Sequence, residues 1–192
     1  MKKDESALVL DYLPKGKSDM PPHKRKPLVQ AIGDKYYSLL ELTPREGVSF
    51  ELGEKIYIGN ELRKKIERVE RRVKYEWLTP TAKSELPHII EKIVVANEKE
   101  YVDFYNTAGS LTTRLHKLET LPKIGKKHRE EILDERENVP FESFEDMKQR
   151  LSHTPDPVKI IVDKVVEELK GESKYYLFTL VDGSNAYVYT KK

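Results

Sequence analysis

Residues 114–138 read RLHKLETLPKIGKKHREEILDEREN, and their reading decides the second half of the chain. Leu111, Leu115 and Leu118 hold an apolar helical period just before the turn, with Ser110 or Thr112 as the cap. Leu121-Pro122-Lys123-Ile124-Gly125 then predicts a tight turn, and a basic-headed helical pattern follows it. Two helices hinged on such a turn expose backbone N–H groups at the start of the second, where the helix dipole favours an anion. Gly125 is the residue expected to supply the turn's conformational freedom.

Upstream the pattern is that of strands. Residues 7–13 (ALVLDYL) are apolar and bounded by Pro14 and Gly16. Residues 28–32 and 36–42 predict two more strands, joined as a hairpin across Gly33-Asp34-Lys35, and residues 54–58 a fourth. Residues 67–77 fit two periods. Val69, Val73, Tyr75 and Trp77 alternate, whereas Ile66, Val69, Val73 and Trp77 also suit a helix. Their β-branched and aromatic content favours a strand. Five short strands with meandering turns predict a small antiparallel barrel of OB type, an architecture that commonly binds oligonucleotides.

Two basic runs accompany those strands. Residues 15–26 would form the loop after strand one, with Lys15, Lys17, His23, Lys24, Arg25 and Lys26 set around Pro21-Pro22. Such a loop can track phosphates or can simply stay solvated. On a fifth strand, Arg68, Arg72 and Lys74 would project together, opposite Val69, Val73 and Tyr75. Tyr36, Tyr37 and Tyr57 are candidates for base stacking beside them, although barrel core is the commoner use of such residues.

Thr79-Pro80 and Leu86-Pro87 mark the change from strands to helices, with Thr79 or Ser84 as caps. Ile89, Ile90, Ile93, Val94, Tyr101, Phe104 and Tyr105 hold a helical period that ends at Ala108-Gly109. Phe141, Phe144, Met147 and Leu151 predict a helix capped at Ser143, and Val158, Ile161, Val162, Val165, Val166 and Leu169 another, across a second turn at 152–157. Residues 175–181 and 186–190, flanking Asp182-Gly183-Ser184-Asn185, predict a β-hairpin. The predicted class is α+β, with a barrel over 1–78, a helical unit over 79–171 and a C-terminal hairpin over 172–192.

Charged residues make up 35% of the chain, yet the net charge is only +2. Residues 1–80 carry 17 bases against 13 acids, while 130–172 carry 6 against 13. The positive excess therefore stops at Arg129, which suggests one part for a polyanion and another facing away, or else a mixed solvated surface. Cysteine is absent, which excludes disulfides, thiolate zinc and cysteine nucleophiles. No apolar run reaches about 18 residues and no signal-peptide core is evident, so a cytoplasmic protein without a membrane partner is expected. His23, His88, His116, His128 and His153 show no ligand spacing, and no nucleophile elbow, P-loop or dinucleotide fingerprint occurs. Glu130-Glu131 and Glu167-Glu168 fit exposed helix faces. No enzyme activity, cofactor or metal site is expected, with a metal-dependent nuclease built from distant carboxylates as an alternative.

The 121–125 turn and its flanks resemble a helix-hairpin-helix. That likeness implies phosphate capture by the amides of Lys123, Gly125 and His128, with charge from Lys123, Lys126, Lys127 and Arg129. Lys123 stands where the motif usually has its first glycine, and His128 and Arg129 where it has small residues. The turn at 152–157 would be a degenerate partner that completes the core. In some such hairpins carbonyls hold a monovalent cation, here those of Glu119, Leu121 and Ile124. The segments ANEKEYVDFYNTAG (96–109), RLHKLETLPKIGKK (114–127), PFESFEDMKQRL (140–151), DPVKIIVDKVVEEL (156–169) and KYYLF (174–178) are similar to an uncharacterised archaeal family of predicted RNA-binding proteins with an OB-like head. The likeness runs from Ala7 to Phe178. It implies an archaeal origin and a role near RNA or translation. Taken with the hairpin and the two basic runs, the expected function is binding of RNA, with DNA the lesser candidate, through residues 123–129 (Lys123, Ile124, Gly125, Lys126, Lys127, His128, Arg129), residues 24–26 (Lys24, Arg25, Lys26) and Arg68, Arg72 and Lys74. The alternative is a scaffold that binds a ribosomal or other translation or transcription protein through the acidic helices.

Overall fold

The computed structural model describes residues 3–180 and the backbone of Tyr187 and Val188. These fall into two compact units, one of residues 3–89 with 168–180 and 187–188, the other of residues 90–167.

In the first unit, β1 (Ser6–Leu13), β2 (Leu28–Gly33), β3 (Leu39–Pro44), β4 (Lys55–Tyr57) and β5 (Ile66–Arg72) form one curled antiparallel sheet. Its order is β4-β1-β2-β3-β5. β4 and β5 are its two edges and do not pair among the described residues, so the expected barrel is a half-barrel open along one side. β1, β2 and β3 are apolar runs because both their faces are buried, whereas the edge strands β4 and β5 keep exposed positions. Ala7, Val9, Val29, Ala31, Leu40, Leu42, Ile56, Ile58 and Ile66 pack on one face. Leu8, Ile32 and Leu39, paired across the sheet, are buried on the other.

The hairpin expected across Gly33-Asp34-Lys35 has a wider turn, which runs from the end of β2 at Gly33 to the start of β3 at Leu39. Asp4 accepts the amides of Lys35 (3.0 Å) and Tyr36 (2.7 Å) on one carboxylate oxygen. A Cβ on Gly33 would lie 2.1 Å from that carboxylate, so only glycine permits this approach. β3 consequently starts at Leu39, and Tyr37, at φ 55°, is core. β5 ends at Arg72 and Tyr75–Trp77 is a 3-10 turn, which shortens the strand expected over 67–77. Two irregularities in the β3–β5 register break the period-two alternation.

Five α-helices are described: α1 (Pro80–Ala96), α2 (Glu98–Thr107), α3 (Lys126–Asn138), α4 (Phe144–Arg150) and α5 (Pro157–Lys170). Thr79 caps α1 by accepting from the Ala82 amide at 3.1 Å, with Pro80 in the first turn. Pro87, expected at a boundary, lies inside α1, where it deprives the Lys83 carbonyl of its helical donor. Ser143 caps α4 through the Asp146 amide at 3.0 Å.

The helix expected before the 121–125 turn is not formed. Ser110–Thr112 (β6) pairs antiparallel with Leu115–His116 (β7), and Lys117–Thr120 is one 3-10 turn. A reciprocal cap causes this. His116 Nδ1 accepts the Leu118 amide (3.2 Å) while Glu119 accepts the His116 amide (3.1 Å), so the turn begins at Lys117. The second unit's core includes Ile90, Tyr105, Leu118, Leu121, Ile124, Ile132, Met147 and Ile161.

Within the expected C-terminal hairpin, the strands described are Tyr175–Tyr176 (β8) and Tyr187–Val188 (β9). They pair in parallel, whereas a hairpin requires antiparallel strands. Its expected turn at 182–185 lies outside the described residues.

Candidate nucleic-acid interface

In the second unit the Leu121–Gly125 segment is a tight turn. The Ile124 amide donates to the Leu121 carbonyl (3.3 Å), Pro122 takes the second position and Lys123 the third, at φ 63°. Proline followed by a left-handed residue is the signature of a type II turn. Lys123 thus takes the conformation glycine would take. Gly125, at φ −96° and ψ −175°, is extended backbone open to any residue, so the freedom expected of it is required two residues earlier.

Gly125 is also the N-cap of α3, with no side-chain cap and no acid in the first helical turn. The first-turn amides therefore lack both an intrahelical and a side-chain acceptor. Lys126 and Lys127 flank them, exposed and without an ion pair among the described residues. His128 donates from Nδ1 to the Lys123 carbonyl (2.9 Å), which closes the turn and fixes the ring.

The other residues expected here are committed elsewhere. Lys123 reaches Asp163 on α5 (2.8 Å), and that bond holds its ammonium above the usual lysine pKa. Ile124 is buried, so its side chain belongs to the core. Arg129 binds Glu119 (3.0 Å) and Glu130 (3.1 Å). The His116 amide first, and Arg129 next, keep Glu119 below the ordinary carboxylate range. The turn at 152–157 is held by Glu131, which accepts from Thr154 (2.7 Å), Ser152 (3.3 Å) and the His153 amide (3.1 Å). Glu131 is thus a tie within the unit, and the exposed-face reading of it is corrected. So is that of Glu168, which in the first unit is 3% exposed and accepts the amides of Leu177, Phe178 and Thr179.

In the first unit, residues 15–26 are held in a defined loop. Arg25 spans it by donating to the carbonyls of Met20 (2.7 Å) and Ser18 (2.8 Å). Gly16, at φ 70°, lets the two ends meet, since a Cβ there would lie 2.5 Å from the Lys26 carbonyl. Lys17 binds the buried carboxylate of Glu41 at 2.6 Å. Arg25 and Lys17 are therefore structural, and Lys24 and Lys26 are left exposed without ion pairs among the described residues.

Arg68, Arg72 and Lys74 do not share a face. Arg68 pairs with Thr43, on the side of Glu41 and Arg71. Arg72 pairs with Leu40 of the core face, and Lys74 lies beyond the strand end. The two register shifts are the cause. Arg68 is also neutralised by Glu70 (2.7 Å). A groove of about 860 Å³ opens along β5 and the segment after β4, floored by Leu40, Ile58 and Val69 and walled in part by Lys3, Arg63 and Arg72.

Asp11, Gln30, Glu41 and Arg71 form one row across the face opposite the core cluster. Gln30 accepts the Thr79 amide (2.8 Å) and donates to the Trp77 carbonyl (3.0 Å) and to Glu41 (3.2 Å). Arg71 donates to Glu41 (2.9 Å) and places its guanidinium 5.0 Å from the centre of the Trp77 ring. Burial alone would raise the Glu41 pKa, but the bonds from Lys17, Arg71 and Gln30 outweigh it and hold the group low. Trp77 is 50% exposed. The alternating period of residues 67–77 points to a strand face for Trp77 and to no role, and the one signal of more in the sequence is a lone tryptophan just after a basic run.

Among the described residues no group of three or more His, Asp or Glu side chains could hold a metal ion, and no helix is long and apolar enough to cross a membrane. The family described as "Protein of unknown function (DUF655)" matches residues 3–180. Uncharacterized protein MJ0038 of Methanocaldococcus jannaschii is 46% identical over 174 residues, 90% of this chain and 78% of that protein. The crystal structure of Af1531 from Archaeoglobus fulgidus superposes with a TM-score of 0.87 at 44% identity, covering 92% of this chain and all of that one. The chain belongs to the DUF655 family, which has archaeal members.

Proposed function

We propose that the protein binds RNA without catalysis, holding a backbone phosphate at the start of α3 in the manner of a helix-hairpin-helix. DNA is the lesser ligand. The observation that carries this reading is the left-handed Lys123 after Pro122 in the turn that leads to α3, whose N-cap Gly125 offers no side-chain cap, with Lys126 and Lys127 exposed beside the open amides. The turn and α3 support this reading, in which the 3-10 turn at Lys117–Thr120 would stand in for the motif's first helix. Contacts of this kind position a chain without reading its bases, so binding should be salt-dependent and largely indifferent to sequence. The half-barrel, read as OB-like, would add Lys24 and Lys26 from its first loop and the groove beside Arg63 and Arg72.

The test is a titration of labelled mixed-sequence RNA at two salt concentrations against Lys126→Glu/Lys127→Glu. Both side chains are exposed, so the variant should fold. The expected result is weaker binding with a salt slope shallower by about 0.7–0.9 for each phosphate that is no longer neutralised. Unchanged affinity and slope would remove α3 as the binding surface.

A further inference from the structure

Trp77 bounds a cleft of about 360 Å³ whose other walls include Lys17, Ser18, Asp19 and Glu76. A large apolar ring left half exposed in the wall of a cleft needs a reason, and the chain has invested in holding it still. Its backbone sits in a 3-10 turn, and its carbonyl accepts from Gln30 at 3.0 Å. One ring contact is the Arg71 guanidinium, fixed by two bonds of 2.9 and 2.8 Å to buried Glu41. The opposite wall is fixed as well, because Lys17 binds the same Glu41 and Arg25 clamps the carbonyls of Ser18 and Met20. An aromatic anchored through its backbone and Arg71, in one cleft with a loop tied by Lys17 and Arg25, is a partly preorganised slot, which lowers the ordering cost of binding.

Apart from Lys17, which also lines the cleft but is neutralised by Glu41, the charges around the slot divide by position. Asp19 and Glu76 line the cleft and make no side-chain hydrogen bond or ion pair among the described residues. Lys24 and Lys26, equally unpaired, lie on the loop beside it. Carboxylates inside would repel a phosphate and accept from an amino group, whereas lysines outside suit a phosphate. An aromatic face provides stacking for any base.

We infer that the Trp77 cleft takes one unpaired nucleobase bearing an exocyclic amino group, with its flanking phosphates along Lys24 and Lys26. The ligand class is therefore single-stranded RNA, and amino bases such as cytosine are favoured over uracil. This rests on the RNA-binding reading above but uses a different surface from α3.

Trp77 is the only tryptophan of the chain, so its fluorescence reports this cleft alone. Labelled oligocytidylate and oligouridylate of equal length would be titrated against the full chain, with anisotropy measuring binding and tryptophan emission measuring stacking. The expected result is saturable quenching, stronger and at lower concentration with oligocytidylate. Trp77→Ala should weaken oligocytidylate binding by about 5- to 150-fold, the range for loss of one stacked base. Trp77→Phe should recover most of it, which a merely misfolded surface would not do. Asp19→Asn/Glu76→Gln should bring the two oligomers to equal affinity. Binding by anisotropy with unchanged emission, or with equal quenching by both oligomers, would overturn the inference and leave phosphate capture at α3 standing. No anisotropy change with any RNA would overturn both.

Discussion

Lys123 is a lysine in a glycine's conformation, and what its side chain gains can be separated by substitution from what its backbone costs. The side chain gains an ion pair with Asp163 at 2.8 Å, exposed on the lysine side and so of little weight for stability. The backbone, at φ 63°, carries the left-handed penalty of about 1–2 kcal/mol that a Cβ imposes. Lys123→Ala and Lys123→Gly both delete the ion pair, but only alanine retains the penalty. Glycine should therefore be the more stable of the two by about 1 kcal/mol, the reverse of their order in ordinary backbone. Urea unfolding of the pair measures the difference, and an alanine variant as stable as the glycine one would mean that the turn is not held as described. Neither change should abolish RNA binding if the α3 amides, with Lys126 and Lys127, hold the phosphate. Lys123 matched the glycine position of a motif, so its importance was legible in the sequence. Its geometry was not, because a residue type that rarely takes φ above zero gives no sign of doing so.

Among elements, the basic loop departs furthest from its expected character. It hangs on two side chains, Lys17 gripping Glu41 and Arg25 gripping the loop's own carbonyls. Lys17→Met should cost about 1–3 kcal/mol, because Glu41 stays buried and loses one of its partners. It should also speed amide hydrogen exchange at Gly16 and Met20, whose amides bond within the loop to the carbonyls of Leu13 and Lys17. Unchanged exchange there would mean that Lys17 is not the tether. The strands were legible because Ala7, Val9, Ala31 and Leu42 lie in apolar runs with turn residues between them. β5 was only half legible, since the shifts opposite Glu41 and Thr43 belong to the pairing of two strands and leave no mark on one. The missing helix before Lys117 has a local cause. Leu111, Leu115 and Leu118 hold a helical period, yet a cap made by His116 and Glu119 starts a turn inside it, and histidine is not a usual capping residue.

For the molecule as a whole, the near balance of charge conceals how much of it is used internally. Glu41, Glu54 and Glu70 in one unit, and Glu119, Glu131 and Asp156 in the other, all sit below their ordinary pKa. For Glu54 the leading cause is the bond from Lys65, and for Glu70 the bond from Thr43. For Asp156, bonds from Lys148 and from the amides of Val158 and Lys159 overcome an opposing effect of burial. A carboxyl whose folded pKa lies below its unfolded one is less protonated in the folded chain, so the unfolded chain binds more protons as the pH falls. Stability is then fully present above the unfolded value and is lost as pH drops through the folded one, with a slope of about 1.4 kcal/mol per pH unit for each extra proton bound. The urea midpoint should accordingly be flat from about pH 7 to 5 and fall from about pH 5 to 3. Glu41→Gln has one such carboxyl fewer. It should start less stable at neutral pH, because Lys17 and Arg71 lose their counter-charge, and should then lose less between pH 5 and 3 than the wild type. Parallel curves for the two proteins across that range would show that Glu41 is not among the groups that set acid stability.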